Sequence, residues 1–117
     1  MRYFQLYEFD SPDVKGSCSN MDSTMLSMID EARAFANIPF IINSGYRTEK
    51  NNKKIGGVIN SSHLKGLAVD IKCMNSVNRF IIIDSLKRAG FNRIGISETF
   101  IHADIDTDKT QNVIWVY

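Results

Sequence analysis

Long apolar runs are missing from this 117-residue chain; stretches such as Phe80-Ile81-Ile82-Ile83 are far too short to span a bilayer, so no membrane insertion is expected. The N-terminal stretch lacks the charged-then-apolar layout of a signal peptide, because acids at Glu8 and Asp10 interrupt it early. The expectation is synthesis in a cytoplasm with no export address. Charge of one sign is also missing. A formal net charge of +1, with Lys53-Lys54 too short to form a basic stripe, gives no electrostatic case for a nucleic-acid partner. Two cysteines, Cys18 and Cys73, do not make a disulfide framework and are expected to be reduced and structural. Two prolines and no repeats exclude linker-joined or low-complexity architecture.

What remains is ordinary for a folded protein: 44% apolar and 23% charged residues, enough for one core and one domain over residues 1–117. Residues 10–21 form a turn-rich loop. A helix is expected to start at Asp22 or Ser23 and stop at Asn37, with Leu26, Ile29 and Ala32 or Arg33 at helical spacing. Phe40-Ile41-Ile42 reads as a short buried strand, and Thr48 to Lys54 as one or two helical turns. Ala68 to Cys73 is a strand, and Ser76 to Ala89 is the second main helix, stopped by Gly90. Ile94–Ile96, Phe100–Ile105 and Val113–Val116 supply three more strands. The fold class expected is α+β, a small mainly antiparallel sheet with two main helices.

Histidine is as scarce as cysteine, yet both histidines lie near carboxylates in locally apolar settings. In Ser61-Ser62-His63-Leu64-Lys65-Gly66-Leu67-Ala68-Val69-Asp70, Gly66 permits a tight path that folds the histidine back over the start of a strand carrying Asp70. In Phe100-Ile101-His102-Ala103-Asp104, alternation puts His102 and Asp104 on one strand face, which needs a partner. Two imidazoles and a carboxylate suit a zinc site that keeps one position open for water. The competing reading is a hydrogen-bonded strand histidine, with Asp104, Asp106 and Asp108 in a solvated turn. Asp70 and Cys73 would point to opposite faces of one strand, which argues against Cys73 as a ligand.

These segments resemble the zinc D-Ala-D-Ala carboxypeptidase and L-alanyl-D-glutamate endopeptidase family, which includes phage-encoded murein peptidases. The pattern S-x-H-x-x-G-x-A-x-D is matched by Ser61, His63, Gly66, Ala68 and Asp70; H-V-D by His102-Ala103-Asp104; and S-G-Y-R-T/S by Ser44-Gly45-Tyr46-Arg47-Thr48. The likeness spans Phe9 to Trp115 in the right order. It implies a hedgehog/DD-peptidase-like fold and Zn2+ held by His63, Asp70 and His102. It also implies that Arg47 and Ser61 meet the substrate, Arg47 through its fixed, always-charged fork.

The general base is where the chain departs from better-known relatives, some of which carry an acid three residues before the last histidine ligand; Thr99 stands there. Glu98 and Asp104 are both candidates, and a second relative pattern would make Asp104, not His102, the third ligand. The resemblance implies a monomeric zinc peptidase cutting an amide in the peptide stem of peptidoglycan, reaching the wall after release from the cell that makes it. Signalling relatives that keep the zinc suggest a second reading, a non-catalytic wall-binding domain on the same scaffold.

Overall fold

Local signals place the helices with little ambiguity in the computed structural model, which describes all 117 residues. Helix α1 (Ser23–Ala36) begins where the Asp22 carboxylate accepts the Met25 N–H, and it ends at Asn37, left-handed at φ 54°. Its buried Met25, Ile29 and Ala32 recur at helical spacing. Helix α2 (Glu49–Lys54) is capped by the Thr48 hydroxyl, and α3 (Ser76–Arg88) by the Asn75 side chain. No helix is long and apolar enough to cross a membrane.

Five strands, β1 (Ile42–Ser44), β2 (Ala68–Lys72), β3 (Arg93–Ile96), β4 (Phe100–Asp104) and β5 (Val113–Val116), form one sheet in the order β1-β2-β4-β3-β5. All pairings are antiparallel except β3 with β5. The α+β class with a mainly antiparallel sheet is thus observed. Period-two alternation divides the sheet: Val69, Ile71, Ile94, Ile101 and Ala103 join Phe9, Met25, Ile29, Ile82 and Leu86 in the core, with α1 and α3 packed together on that side. Each fully buried Val, Leu, Ile, Met or Phe among them contributes roughly 1.5–3 kcal/mol before entropy is counted. Asp70, His102 and Asp104 occupy the alternate positions, and that face bears the site.

One expected strand is displaced. The sequence predicts a buried strand over Phe40-Ile41-Ile42, but Phe40 turns into the core, Ile41 is exposed, and β1 starts at Ile42. Pro39 precedes this stretch, and β1 is an edge strand with a register shift against β2 between Ile42 and Ser44. The N-terminus is tied to α1, with the N–H groups of Arg2 and Tyr3 donating to the Asp30 carboxylate. Cys18 and Cys73 are free thiols, as expected.

Candidate metal centre and peptidase site

One register row crosses all five strands: Ser44 on β1, Asp70 on β2, His102 on β4, Gly95 on β3 and Trp115 on β5. The shift in β1 brings Ser44 opposite Asp70, where its hydroxyl accepts the Arg47 Nε–H at 2.9 Å. Gly95 is the gap in the row. A Cβ there would come within 2.7 Å of the Trp115 indole, so only glycine lets the indole lie across β3 and reach the His102 ring at 5.4 Å between centroids.

His63 arrives from outside the sheet, on a single 3-10 turn (Ser62–Lys65) in which the His63 N–H is capped by the Ser61 hydroxyl. Gly66, at φ 70°, ends that turn. The ring is fixed by Gly45, whose carbonyl lies 2.8 Å from Nδ1. A carbonyl only accepts, so Nδ1 carries the proton and Nε2 presents a bare lone pair. Gly45 can offer that carbonyl because its backbone crosses Phe9 so closely that a Cβ would sit 2.7 Å from the Phe9 Cα.

The Nε2 lone pair is the odd feature. It is buried without a hydrogen-bond partner and lies 3.3 Å from Asp70 Oδ1, itself an acceptor. His102 Nδ1 approaches the same oxygen at 2.9 Å. Two nitrogens and a carboxylate oxygen from His63, Asp70 and His102 lie within 4.8 Å of one another, all buried. A lone pair aimed at a buried carboxylate is costly unless a cation stands between them, so the donor set fits a divalent metal.

The surroundings support that use. His102 Nε2 donates to Asp104 Oδ2 at 2.6 Å, the carboxylate partner that commonly orients a metal-binding imidazole. Burial alone would raise the Asp70 carboxyl, but the close approach of the His102 and His63 ring nitrogens outweighs it and holds the group well below the usual carboxylate range. Burial would lower the His102 imidazole, and the flanking carboxylates of Asp104 and Asp70 raise it instead. Burial lowers the Arg47 guanidinium, partly offset by Asp70, which accepts its Nη2–H at 3.2 Å.

Residues 3–104 match the family model described as Peptidase M15. The chain belongs to the peptidase M15 family. M15 peptidases are zinc-dependent, and His63, Asp70 and His102 form the cluster in this member that can take the ion. A comparison with curated proteins found no match.

Not every expected site residue meets at the M15 centre. Arg47, Ser61, His63, Asp70, His102 and Asp104 all line one cavity of about 380 Å³. Glu98 does not; it sits exposed on the β3–β4 turn, where its carbonyl accepts from Arg79. Asp104 is buried, not part of a solvated turn, and both its oxygens are engaged. Oδ2 takes the His102 proton, while Oδ1 accepts from Arg93 Nε at 2.7 Å and from the Asp106 N–H. Neither candidate base therefore offers the cavity a free carboxylate oxygen. One turn has carried Glu98 away, and hydrogen bonds engage both oxygens of Asp104.

Sequence reasoning missed Arg93 and Trp115. The sequence predicts a strand only over Ile94–Ile96, but the strand begins at Arg93, which shares a face with Gly95 and so meets Asp104. Its guanidinium lies 5.0 Å from the Trp115 ring centroid and also donates to the Thr110 carbonyl.

Proposed function

We propose that this M15 peptidase hydrolyses an amide bond in the peptide stem of peptidoglycan, as a carboxypeptidase or endopeptidase. The observation that carries the reading is the orphaned His63 Nε2 converging with Asp70 and His102 on the floor of a cavity bordered by Arg47. The three ordered motifs around these residues support the peptidoglycan substrate.

His63, Asp70 and His102 would hold zinc, which when bound supplies a Lewis acid for the scissile carbonyl and an activated water. The chain's own groups then divide the remaining work. Gly45 holds the His63 Nδ1 proton, and Asp104 holds the Nε2 proton of His102, so each ring offers its other nitrogen inward. Arg47 uses one N–H each on Ser44, Asn52 and Asp70, leaving two of its five to donate to a substrate carbonyl as negative charge develops there. The Ser61 hydroxyl accepts the His63 N–H and keeps its own proton for substrate. Trp115 and Tyr117 form an aromatic wall. Asp104 acts here as a positioning residue rather than a direct base.

The test is zinc content together with release of fragments from peptidoglycan and stem peptides, read by mass spectrometry. Wild type should bind one zinc and cleave. His63→Ala and His102→Ala should lose the metal, and Asp104→Ala should bind it roughly 10- to 100-fold more weakly. A zinc-loaded wild type that cleaves no stem peptide overturns the enzymatic reading. The lack of a free carboxylate oxygen in the cavity favours one alternative, a zinc-containing wall-binding domain. That alternative requires wall binding without cleavage, abolished by His63→Ala.

A further inference from the structure

We propose that Asn52 is a positioning residue of the peptidase site: its side-chain amide holds Arg47 and ties it to residues 56–58, which line the same cavity. The inference rests on the peptidase reading above and adds the residue that sets the Arg47 geometry.

Helix α2 is an odd support for a cavity wall. All six of its residues are polar, and the two it buries are Asn51 and Asn52 rather than apolar side chains. Asn52 is 4% exposed, and a buried amide costs free energy unless both its ends are bonded. Both are. Its Oδ1 accepts the Arg47 Nη1–H at 3.2 Å, and its Nδ2 donates to the Val58 carbonyl at 2.8 Å. A guanidinium only donates and a carbonyl only accepts, so the bridge needs a group that does both. A carboxylate cannot donate to Val58, and an apolar side chain serves neither end.

Arg47 depends on this bridge for one arm of its fork. Ser44 takes Nε and Asp70 takes Nη2, so Asn52 is the one partner of Nη1. Without it the planar group can tilt, and the N–H groups left for a substrate carbonyl lose their fixed direction. The loop is built onto the same bridge. The Gly57 N–H donates to the Asn52 carbonyl at 2.8 Å, and a Cβ on Gly57 would overlap Asn52 Oδ1 and lie 3.2 Å from Arg47 Nη1. Glycine therefore lets the loop backbone lie directly against the amide. The loop's apolar side chains give little anchorage, since Val58 and Ile59 are exposed. The Val58 carbonyl is held instead by Asn52 and by the Ser61 N–H. Gly56, Gly57 and Val58 line the cavity beside Arg47, so one amide fixes the fork and the wall relative to each other.

The test measures kcat and KM on a stem peptide for zinc-loaded wild type, Asn52→Ala, Arg47→Met and the double variant, with zinc content and thermal melting as controls. Arg47 contributes as charge develops, so Asn52→Ala should lower kcat roughly 10- to 100-fold while KM changes by less than about threefold. In the Arg47→Met background the same substitution should cost less than about twofold, because no fork is left to hold. Gly57→Ala, whose methyl displaces the Asn52 oxygen, should show the same pattern in both backgrounds, and it decides if Asn52→Ala fails to fold. Undiminished kcat, or an equal loss with and without Arg47, overturns the proposal and leaves the peptidase reading standing. A wild type that cleaves nothing refutes that reading instead. Nitrogen-15 NMR of the Arg47 guanidinium then decides whether Asn52 holds it, with Nη signals resolved in wild type and merged in Asn52→Ala. Signals alike in the two proteins overturn the positioning role as well.

Discussion

Replacing Arg93 with Met should unbalance the buried carboxylate that orients His102. Asp104 is 1% exposed, and Arg93 Nε donates to it at 2.7 Å. Methionine fills much of the volume, so the loss is mainly electrostatic: Asp104 would keep only His102 and the Asp106 N–H. Removing one partner of a buried pair costs about 3–5 kcal/mol, and the lost stacking on Trp115 adds about 0.5–1 kcal/mol. For a domain of this size the unfolding entropy is about 0.25 kcal/mol/K, so a loss of about 3.5–6 kcal/mol lowers Tm by about 14–24 °C. Circular dichroism melting of the metal-free protein is the assay, because bound zinc would itself shift Tm. Adding Asp104→Asn to Arg93→Met should recover part of the loss, since the stranded charge is then gone. A drop in Tm below about 4 °C for Arg93→Met, or no recovery in the double variant, would refute the assignment of Asp104 as a charge held by Arg93.

Two other perturbations test different supports of the site. Gly95→Ala introduces a Cβ within 2.7 Å of the Trp115 indole and should cost about 1–3 kcal/mol in urea unfolding. It should also shift the emission of Trp115, the single tryptophan; unchanged emission and stability would show that the indole does not lie across β3. Asp106 is a pH test. Burial would raise its carboxyl, but hydrogen bonds from Ser62 and Lys65 outweigh it and hold the pKa below the ordinary 3.8. Its contribution to stability is therefore fully present above about 3.8 and is lost as pH falls through the lower folded value. Asp106→Asn should destabilise at pH 7 and converge on wild type in strongly acidic solution. A gap between the two that stays constant with pH in urea titrations would contradict this.

Much of the site was legible in the order of residues because its parts are local. The His63–Gly66–Asp70 spacing contains its own turn, and alternation in Phe100–Asp104 already placed His102 and Asp104 on one face. Helix boundaries were legible for the same reason, since Asp22 and Asn37 act within one turn of chain. What was not legible depends on which strands become neighbours. Nothing local tells Arg93 that β4 will lie beside it, or Trp115 that a glycine on β3 will make room for its ring. The general base eluded sequence reasoning differently. Glu98 and Asp104 both lie near His102 in the sequence, but only the hydrogen bonds around them show one turned outward and the other engaged at both oxygens.

The crossing of Gly45 over Phe9 has a consequence for biosynthesis. The carbonyl that sets the His63 tautomer is seated on Phe9, which is synthesised well before any metal-binding residue, whereas the indole beside His102 comes from Trp115, which follows them all. Between them the metal-binding residues are drawn from contacts far apart along the chain, the slow kind to establish. A nascent chain halted after β2 holds His63 and Asp70 without His102. High-affinity metal capture therefore follows completion of the sheet, which makes zinc uptake a reporter of finished folding in this protein.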